Sequence, residues 1–181
     1  MAAPQPPTSP IDITAWIAEH ADDFRPPVSN KVVWRNSDFI TMVIGGPNAR
    51  TDFHIDPGDE IFHQIIGTMR LDLVIDGERT TRLLGPGEML LVPGGVPHSP
   101  RRPGGSFGLV IERVRAPDEL DALRWYCESC DAVVHEVSFH VDDIETELSR
   151  HIGDFHGSVE RRTCPRCGTV VPVPEPFVLD L

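Results

Sequence analysis

Between residues 31 and 115 the sequence is a succession of short segments rich in β-branched and apolar residues, separated by turns that contain glycine, proline or asparagine. The segments read KVVW, FITMVI, EIFHQII, MRLDLVI, TTRLL, EMLLVP and FGLVIERV, and Asp76-Gly77 is typical of a tight hairpin turn. Strands this frequent, with no long helix between them, favour an antiparallel sandwich or barrel, of which the jelly roll is one form. We therefore expect a fold dominated by β-strands.

The flanking segments have different patterns. Residues 1–10 are rich in proline, which predicts a disordered or draped arm, and Asp12 precedes a helical pattern that Pro26-Pro27 ends. After residue 117, DELDALRW predicts a short helix or turn, VVHEVSFHV a strand, DDIETELSRHI an amphipathic helix, and VVPVPEPFVLDL an extended tail. We expect an N-terminal arm and helix at 1–26, a barrel at 27–117, and a C-terminal segment packed on it at 118–181.

The chain is acidic, with a formal net charge of -12. An acidic domain repels nucleic acid unless basic residues are segregated, and Arg161, Arg162 and Arg166 are too few for that. No segment approaches the roughly 18 consecutive apolar residues of a membrane span. The N-terminus lacks the basic start and apolar run of a signal peptide. We expect a cytoplasmic protein that acts on a small molecule, with no nucleic acid or membrane as a partner.

Three residues in two patterned stretches are candidate metal ligands. His54 and Glu60 lie in HIDPGDEIFHQIIG, and His98 ends GEMLLVPGGVPH. Two neutral imidazoles and one carboxylate suit non-heme Fe(II), and they leave three octahedral positions open for a substrate and dioxygen. The other histidines are interpreted as packed or solvated side chains, including His63, which strand alternation from Glu60 turns to the opposite face.

The spacings H-x5-E-x6-G and G-x5-P-x-G-x2-H resemble the two signature motifs of the cupin superfamily, in which a small jelly-roll β-barrel holds a metal. Motifs of that family usually begin H-x-H, whereas Asp56 stands at the third position here, which would keep another coordination position free. The longer stretches WRNSDFITMVIGGPNARTDFH, DEIFHQIIG, VPHSPRRP and LVIER, with WYCESC and CPRCG, resemble the 3-hydroxyanthranilate 3,4-dioxygenase family. This similarity runs from about Ile13 to Gly168.

The resemblance implies an enzyme that uses Fe(II) and O2 to cleave the ring of 3-hydroxyanthranilate, giving 2-amino-3-carboxymuconate semialdehyde, a precursor of quinolinate. It also implies a homodimer. The site residues it implies are His54, Glu60 and His98 as iron ligands, Arg50 beside the dioxygen, and Glu60, Arg102 and Glu112 around the substrate. Arg50 would stabilise charge that builds up on the oxygen, and Glu60 would accept the proton of the substrate hydroxyl.

The residue pattern supports two of these roles. Arg102 lies four residues after His98, so strand alternation returns it to the same side, and a guanidinium suits bidentate binding of a carboxylate. Glu112 lies in the apolar run FGLVIERV, where a carboxylate is costly unless it is paired. We therefore expect Glu112 to face the barrel interior and to pair with Arg102.

All four cysteines fall in the last third of the chain, as two C-x-x-C pairs: Cys127, Cys130, Cys164 and Cys167. Two such pairs can bring four thiolates into a tetrahedral cage that suits zinc or a single iron. The resemblance implies the bacterial form of the family with a second, rubredoxin-like metal site. Four protein ligands close the site, so we expect it to be structural and to anchor the C-terminal segment to the barrel.

Two other functions stay open at this point. One is a different cupin dioxygenase or isomerase that acts on a related aromatic or small acid, and the other is a non-catalytic metal-binding cupin. A carboxylated aminophenol requires Arg50, Arg102 and Glu112 to converge near the metal, which separates the first alternative from the main hypothesis.

Overall fold

The computed structural model describes residues 9–179. The predicted arm at residues 1–10 therefore lies outside the described residues, apart from its last two positions. Among the described helices, none is long and apolar enough to cross a membrane.

The strands of the described chain are short and follow one another closely. Their bounds are β1 Ser29–Val32, β2 Phe39–Gly45, β3 Phe53–Ile55, β4 Glu60–Ile66, β5 Met69–Ile75, β6 Glu78–Leu84, β7 Met89–Val92, β8 His98–Arg101, β9 Phe107–Arg113, β10 Asp121–Tyr126 and β11 Val133–Phe139. The helices are α1 Ile13–Glu19, α2 Ile144–His156 and α3 Val159–Arg162, with a 3-10 turn at Ala21–Asp23.

The strands form two antiparallel sheets that enclose the core. One sheet has the order β1-β2-β9-β4-β7 and the other has the order β11-β10-β3-β8-β5-β6. Buried residues from both sheets meet in one apolar cluster, with Met42, Phe62 and Val110 from the first sheet and Leu71 and Leu123 from the second. The predicted β-dominated barrel with an N-terminal helix is confirmed.

Alternation of side chains along the central strands decides what faces the interior. In β4, Glu60, Phe62 and Gln64 are buried while the residues between them are half-buried. The neighbouring strand β9 does the same with Val110 and Glu112. Successive side chains of a strand point to opposite faces, so these two strands deliver polar groups into an otherwise apolar interior.

The prediction of a short helix or turn for DELDALRW is wrong. Asp121–Tyr126 form β10, which pairs with β3 on one side and β11 on the other. Asp121, Leu123 and Trp125 are fully buried on one face. Pairing on both edges and burial of alternate residues outweigh the weak helical preference of the segment.

The two longer helices begin at acidic caps, of which the sequence predicted Asp12. Asp12 accepts hydrogen bonds from the amides of Thr14 and Ala15 at the start of α1, and Asp143 accepts one from the amide of Glu145 at the start of α2. Such caps satisfy amides that have no partner inside the helix. The buried face of α2 consists of Ile144, Leu148, Ile152 and Phe155.

The chain after residue 117 is continuous with the sheet. Strand β10 lies beside β3, and the extended tail returns to the barrel, where the amide of Phe177 donates to the carbonyl oxygen of Asn48 over 2.7 Å. The division into 1–26, 27–117 and 118–181 remains a prediction about domains, and the hydrogen bonds of the sheet cross its second boundary.

Candidate metal centre

The three predicted ligands come from both sheets and meet inside the barrel. His54 of β3 lies directly opposite His98 of β8 in the register of the six-stranded sheet. Glu60 opens β4 in the five-stranded sheet. All three side chains are buried, with 4% of His54, 3% of Glu60 and 1% of His98 exposed. A site that spans two sheets is held by the packing of the whole barrel.

The ligand atoms converge on one another. Oε1 of Glu60 lies 3.2 Å from Nδ1 of His54 and 3.0 Å from Nε2 of His98. Among the described residues this oxygen has no hydrogen-bond partner. Three potential ligands that crowd together without bonding to one another are arranged around a common point, which fits a bound cation.

The outer ring nitrogens determine which nitrogen is free to bind. Nε2 of His54 lies 2.6 Å from Oδ2 of Asp121, and Nδ1 of His98 lies 3.0 Å from the carbonyl oxygen of Val96. A carbonyl oxygen and an ionised carboxylate only accept hydrogen bonds, so each outer nitrogen donates its proton. The inner nitrogen of each neutral ring then presents a lone pair toward Glu60, which is the usual arrangement of a metal-binding histidine.

The electrostatics favour an ionised carboxylate between the two rings. Burial raises the pKa of Glu60, but the neighbouring His98 and His54 outweigh that effect and hold the pKa well below its ordinary value. For His54, burial lowers the pKa, and the charge of Glu60 with the hydrogen bond to Asp121 raises it to about 10. A cation bound among these atoms would replace the proton of His54 as the partner of Glu60.

These three side chains offer one ligand atom each within 4.8 Å of one another. Two imidazoles and a carboxylate, with the rest of the coordination sphere left to solvent or substrate, form a set suited to a divalent transition metal such as Fe(II). The residues present therefore fit the predicted metal.

Glu112 and Asp56 lie beside this centre. Glu112 is directly opposite Glu60 in the register of β4 and β9. The predicted pairing of Glu112 with Arg102 is wrong: its Oε1 accepts a hydrogen bond of 2.6 Å from Nη1 of Arg115. Oδ1 of Asp56 accepts a hydrogen bond of 2.6 Å from the amide of Gly58. Sequence shows that a buried carboxylate needs a cation, but not which of several arginines reaches it.

The crowding of carboxylates changes their acidity. Burial, then the charge of Glu60, raises the pKa of Glu112 to about 8, with Arg115 opposing the shift. The same two causes raise the pKa of Asp56 to about 6. Negative charge in this region therefore exceeds what Arg115 alone neutralises, which favours a cation at the neighbouring centre.

A cavity opens beside the centre. Its wall includes the charged or titratable side chains of His54, Glu60, His98, Arg50 and Glu112. The rest of the wall consists of Asn30, Pro100 and the apolar side chains of Val28, Met42, Ile44, Phe62, Ile144 and Leu148. Ile144 and Leu148 come from α2. Five of the six predicted residues of the barrel site thus lie on one cavity, and Arg102 is not on its lining.

Arg102 is fully buried. Its Nη1 donates to Oε1 of Gln64 over 2.7 Å, while Nε and Nη2 have no hydrogen-bond partner among the described residues. Burial lowers its pKa to about 9. A buried guanidinium with two free donor groups is a candidate for binding an anion.

Arg50 is also buried, and its charge is paired. Nε of Arg50 donates to Oδ1 of Asp52 over 3.0 Å, and Nη2 donates to Oδ2 of the same carboxylate. Asn48 holds the loop that carries Arg50. Its side chain donates a hydrogen bond of 2.7 Å to the carbonyl oxygen of Pro100 and accepts one of 3.0 Å from the amide of Arg102.

The four cysteines form a second cluster, in which each offers a sulfur within 4.8 Å of the others. Sγ of Cys127 lies 3.6 Å from Sγ of Cys167, and Sγ of Cys130 lies 3.7 Å from Sγ of Cys164. Both pairs join one C-x-x-C motif to the other. Four sulfurs at these separations suit a tetrahedral metal site.

Sequence reasoning assigned no role to several residues around the centre: Asp52, Gln64, Arg115 and Asp121. Gln64 had a signal, since alternation from Glu60 places it on the buried face of β4. Asp121 had none, because its segment was predicted as a helix or turn.

Two antiparallel sheets that bring two histidines and a glutamate to one internal point define a β-barrel protein with a candidate metal centre. Comparison with known proteins defines the group more closely. The family model for 3-hydroxyanthranilic acid dioxygenase matches residues 6–156. The chain belongs to this family of dioxygenases, and the predicted resemblance is confirmed.

Relatives from bacteria and fungi agree. The 3-hydroxyanthranilate 3,4-dioxygenase of Xanthomonas oryzae pv. oryzae is 45% identical over 168 residues, covering 93% of this chain and 95% of the relative. The protein of the same name from Neurospora crassa is 41% identical over 163 residues, covering 90% of each chain. Among solved structures, a cupin-2 domain containing protein from Shewanella frigidimarina is similar at 21% identity with a TM-score of 0.45, covering 57% of this chain and 93% of that one.

Proposed function

We propose that this chain is an Fe(II)-dependent enzyme that converts 3-hydroxyanthranilate and O2 to 2-amino-3-carboxymuconate semialdehyde. The observation that carries the proposal is the cavity at the centre, whose wall holds the three ligand side chains together with Arg50 and Glu112. Membership of the 3-hydroxyanthranilic acid dioxygenase family supports it. Relatives of similar length bear the name of this activity.

Iron would be held by Nδ1 of His54, Nε2 of His98 and the carboxylate of Glu60, the atoms that converge in the barrel. Bound Fe(II) supplies open positions for an ortho-aminophenol and dioxygen and a route for electrons between them. The outer nitrogens donate to Asp121 and to the carbonyl of Val96, so each ring would use its inner nitrogen to bind the metal.

Arg102 is assigned to the substrate carboxylate. Its Nε and Nη2 are buried without a hydrogen-bond partner in the described chain, and such groups are costly unless a ligand satisfies them. Gln64 holds the third nitrogen and so orients the guanidinium. A carboxylate that accepts from the two free donors would complete the set.

Arg50, Glu60 and Glu112 are assigned to the dioxygen and to the hydroxyl and amino groups of the substrate. Arg50 contributes a positive charge on the cavity wall, and Asp52 fixes its orientation by binding two of its nitrogens. Such a fixed charge stabilises negative charge that develops on oxygen. Glu60 would accept the proton of the substrate hydroxyl, and Oε2 of Glu112, which has no hydrogen-bond partner in the described chain, would accept from the substrate's amino group.

The four cysteines are assigned to a second metal, iron or zinc, with a structural role. The short sulfur separations between the two C-x-x-C motifs support this assignment. The cluster joins the loop after β10 to the loop after α3. A metal there would therefore hold these two parts of the C-terminal segment together and, because β10 pairs with β3, would attach them to the barrel.

A homodimer is proposed from an apolar surface on the outside of the five-stranded sheet. Ile61 lies opposite both Ile111 and Leu91 in the strand register, and 56% of Leu91 and 59% of Phe39 are exposed. Contiguous exposed apolar side chains commonly mark an interface. Light scattering of the wild type and of Leu91→Arg checks the proposal, which a monomeric wild type contradicts.

We place the protein in the cytoplasm, because thiolate metal ligands require a reducing compartment, and we expect neither nucleic acid nor membrane as a partner at a net charge of -12. Recovery of the native protein outside the cytoplasm on cell fractionation would contradict this placement.

The function is tested by loading the protein with Fe(II) under argon and adding 3-hydroxyanthranilate before admitting air. A new near-ultraviolet absorption should appear only after air enters, and only in protein that holds barrel iron. His63→Ala is the matched control, since this histidine lies on β4 and faces away from Glu60, and it should behave as wild type. Absence of the chromophore in folded, iron-loaded protein would contradict the proposal.

A further inference from the structure

Arg115 is a buried side chain that contacts carboxylates with all three of its guanidinium nitrogens. Its Nε and Nη2 donate to the two oxygens of Asp121 over 2.8 and 2.6 Å. Its Nη1 donates to Glu112 over 2.6 Å, and its Nη2 also lies 2.7 Å from Oδ2 of Asp56. One guanidinium thus contacts three buried carboxylates from three different strands or their ends.

One of these carboxylates connects Arg115 to the metal centre. Asp121 receives both parallel hydrogen bonds from Arg115, and its Oδ2 also accepts the hydrogen bond of Nε2 of His54. A carboxylate held at two points by a planar fork has one orientation, and it passes that orientation to the ring it binds. The orientation of His54 therefore depends on Arg115 through one intervening residue.

A second carboxylate, Glu112, connects Arg115 to the opposite sheet. Glu112 lies on the cavity wall and opposite Glu60 in the strand register. Its Oε1 is bound by Arg115, which leaves Oε2 free toward the cavity. A single arginine thus fixes a group on the six-stranded sheet and a group on the five-stranded sheet.

Lysine could not do the same. A guanidinium offers five N–H donors in a rigid plane, whereas an ammonium is a point charge on a flexible chain. The contacts of Arg115 use all three of its nitrogens. If only neutralisation of the carboxylates mattered, Arg115→Lys would preserve function. If orientation matters, it would not.

We propose that Arg115 is a positioning residue that holds the ring of His54, through Asp121, and the carboxylate of Glu112 in one rigid unit across the two sheets. The part of this proposal that concerns Glu112 rests on the proposed function, because it assumes that Glu112 binds the substrate. The part that concerns His54 requires only that the centre binds a metal.

The experiment compares Arg115→Lys, Asp121→Asn and the double variant with the wild type. Fe(II) affinity is measured under argon by competition with a chelator, and the electron paramagnetic resonance spectrum of the iron–nitrosyl adduct reports the geometry of the centre. Loss of a group that orients a metal ligand typically costs about 10–100-fold in metal affinity. We expect about a tenfold loss in each single variant and a heterogeneous nitrosyl spectrum.

The iron affinity of the double variant tests the effect of Arg115 on His54, and the Michaelis constant tests its effect on Glu112. If Arg115 acts on His54 through Asp121, both changes break the same connection. The double variant should then bind iron no more weakly than whichever single variant has the lower iron affinity. KM for 3-hydroxyanthranilate should rise several-fold in Arg115→Lys and stay near wild type in Asp121→Asn, because only the first change releases Glu112.

Arg113→Lys is the matched control. Arg113 lies two residues earlier and binds both oxygens of Glu119 at the surface, and this change should leave iron affinity, spectrum and KM unaltered. A folded Arg115→Lys variant with wild-type iron affinity and a wild-type nitrosyl spectrum would overturn the proposal, as would additive losses in the double variant. If Arg115→Lys does not fold, Asp121→Asn decides, and unchanged iron affinity there refutes the connection. The iron measurements need no substrate, so a protein that fails to cleave 3-hydroxyanthranilate would refute the proposed function and leave this test intact.

Discussion

Asp121 accepts a hydrogen bond of 2.6 Å from Nε2 of His54, although 67 positions separate the two residues in the chain. The pair joins β10, in the C-terminal part of the sequence, to β3, which carries the first candidate ligand. This hydrogen bond leaves Nδ1 of His54 facing Glu60. The candidate metal centre therefore depends on β10, a strand that follows the stretches carrying His54, Glu60 and His98.

Removing a ligand side chain should abolish activity. In His54→Ala, Glu60→Ala and His98→Ala, iron affinity should fall by more than the ~10–100-fold that accompanies loss of an outer hydrogen-bond partner. Iron content after desalting and turnover per protein chain measure the effect. A variant that keeps wild-type iron content and turnover would remove its residue from the ligand set.

Arg102→Ala should weaken substrate binding more than catalysis. A hydrogen bond to a charged group contributes about 1.5–3 kcal/mol, so KM for 3-hydroxyanthranilate should rise by roughly 10–100-fold with kcat within a few-fold of wild type. The matched control is 2-aminophenol, which lacks the carboxylate and should show no dependence on Arg102. An unchanged KM with a collapsed kcat would assign Arg102 to the chemistry instead.

Replacing Cys127 or Cys164 with serine should remove the second metal and lower thermal stability, since a structural metal contributes free energy of folding directly. Both side chains are buried, so the loss should loosen the segment that contains α3 and the tail. Metal content, the melting temperature and turnover per barrel iron are the measurements. Turnover per iron should stay within a few-fold of wild type, and its complete loss in a folded, iron-loaded variant would give the cysteine site a role in catalysis.

Local patterns predicted the parts of the centre that depend on local sequence. His54, Glu60 and His98 each sit in a strand-and-turn motif whose spacing resembles a cupin motif, and all three side chains are buried. Glu112 was correctly predicted to face the interior because its strand is otherwise apolar. Successive side chains of a strand point to opposite faces, so the face that each residue occupies can be predicted from its position in the sequence alone.

The partners of the buried charges could not be predicted in this way. The buried cation beside Glu112 is Arg115, three residues later in the chain, rather than Arg102, and strand alternation does not show which of the two arginines reaches it. Asp121 lies in a segment whose strand character comes from pairing with β3 and β11, not from its own composition. Ile144 and Leu148 close the cavity from a helix that sequence predicted without indicating where it docks.

Ring cleavage is tested most directly by dioxygen uptake of the iron-loaded protein in the presence of 3-hydroxyanthranilate, followed with an oxygen electrode while the product is identified by mass spectrometry. We expect that one dioxygen is consumed per substrate molecule, that both oxygen atoms enter a ring-opened semialdehyde, and that Glu60→Ala shows neither. Folded, iron-loaded wild-type protein that consumes no dioxygen, or that oxidises the substrate and leaves its ring closed, would contradict the proposed dioxygenase activity.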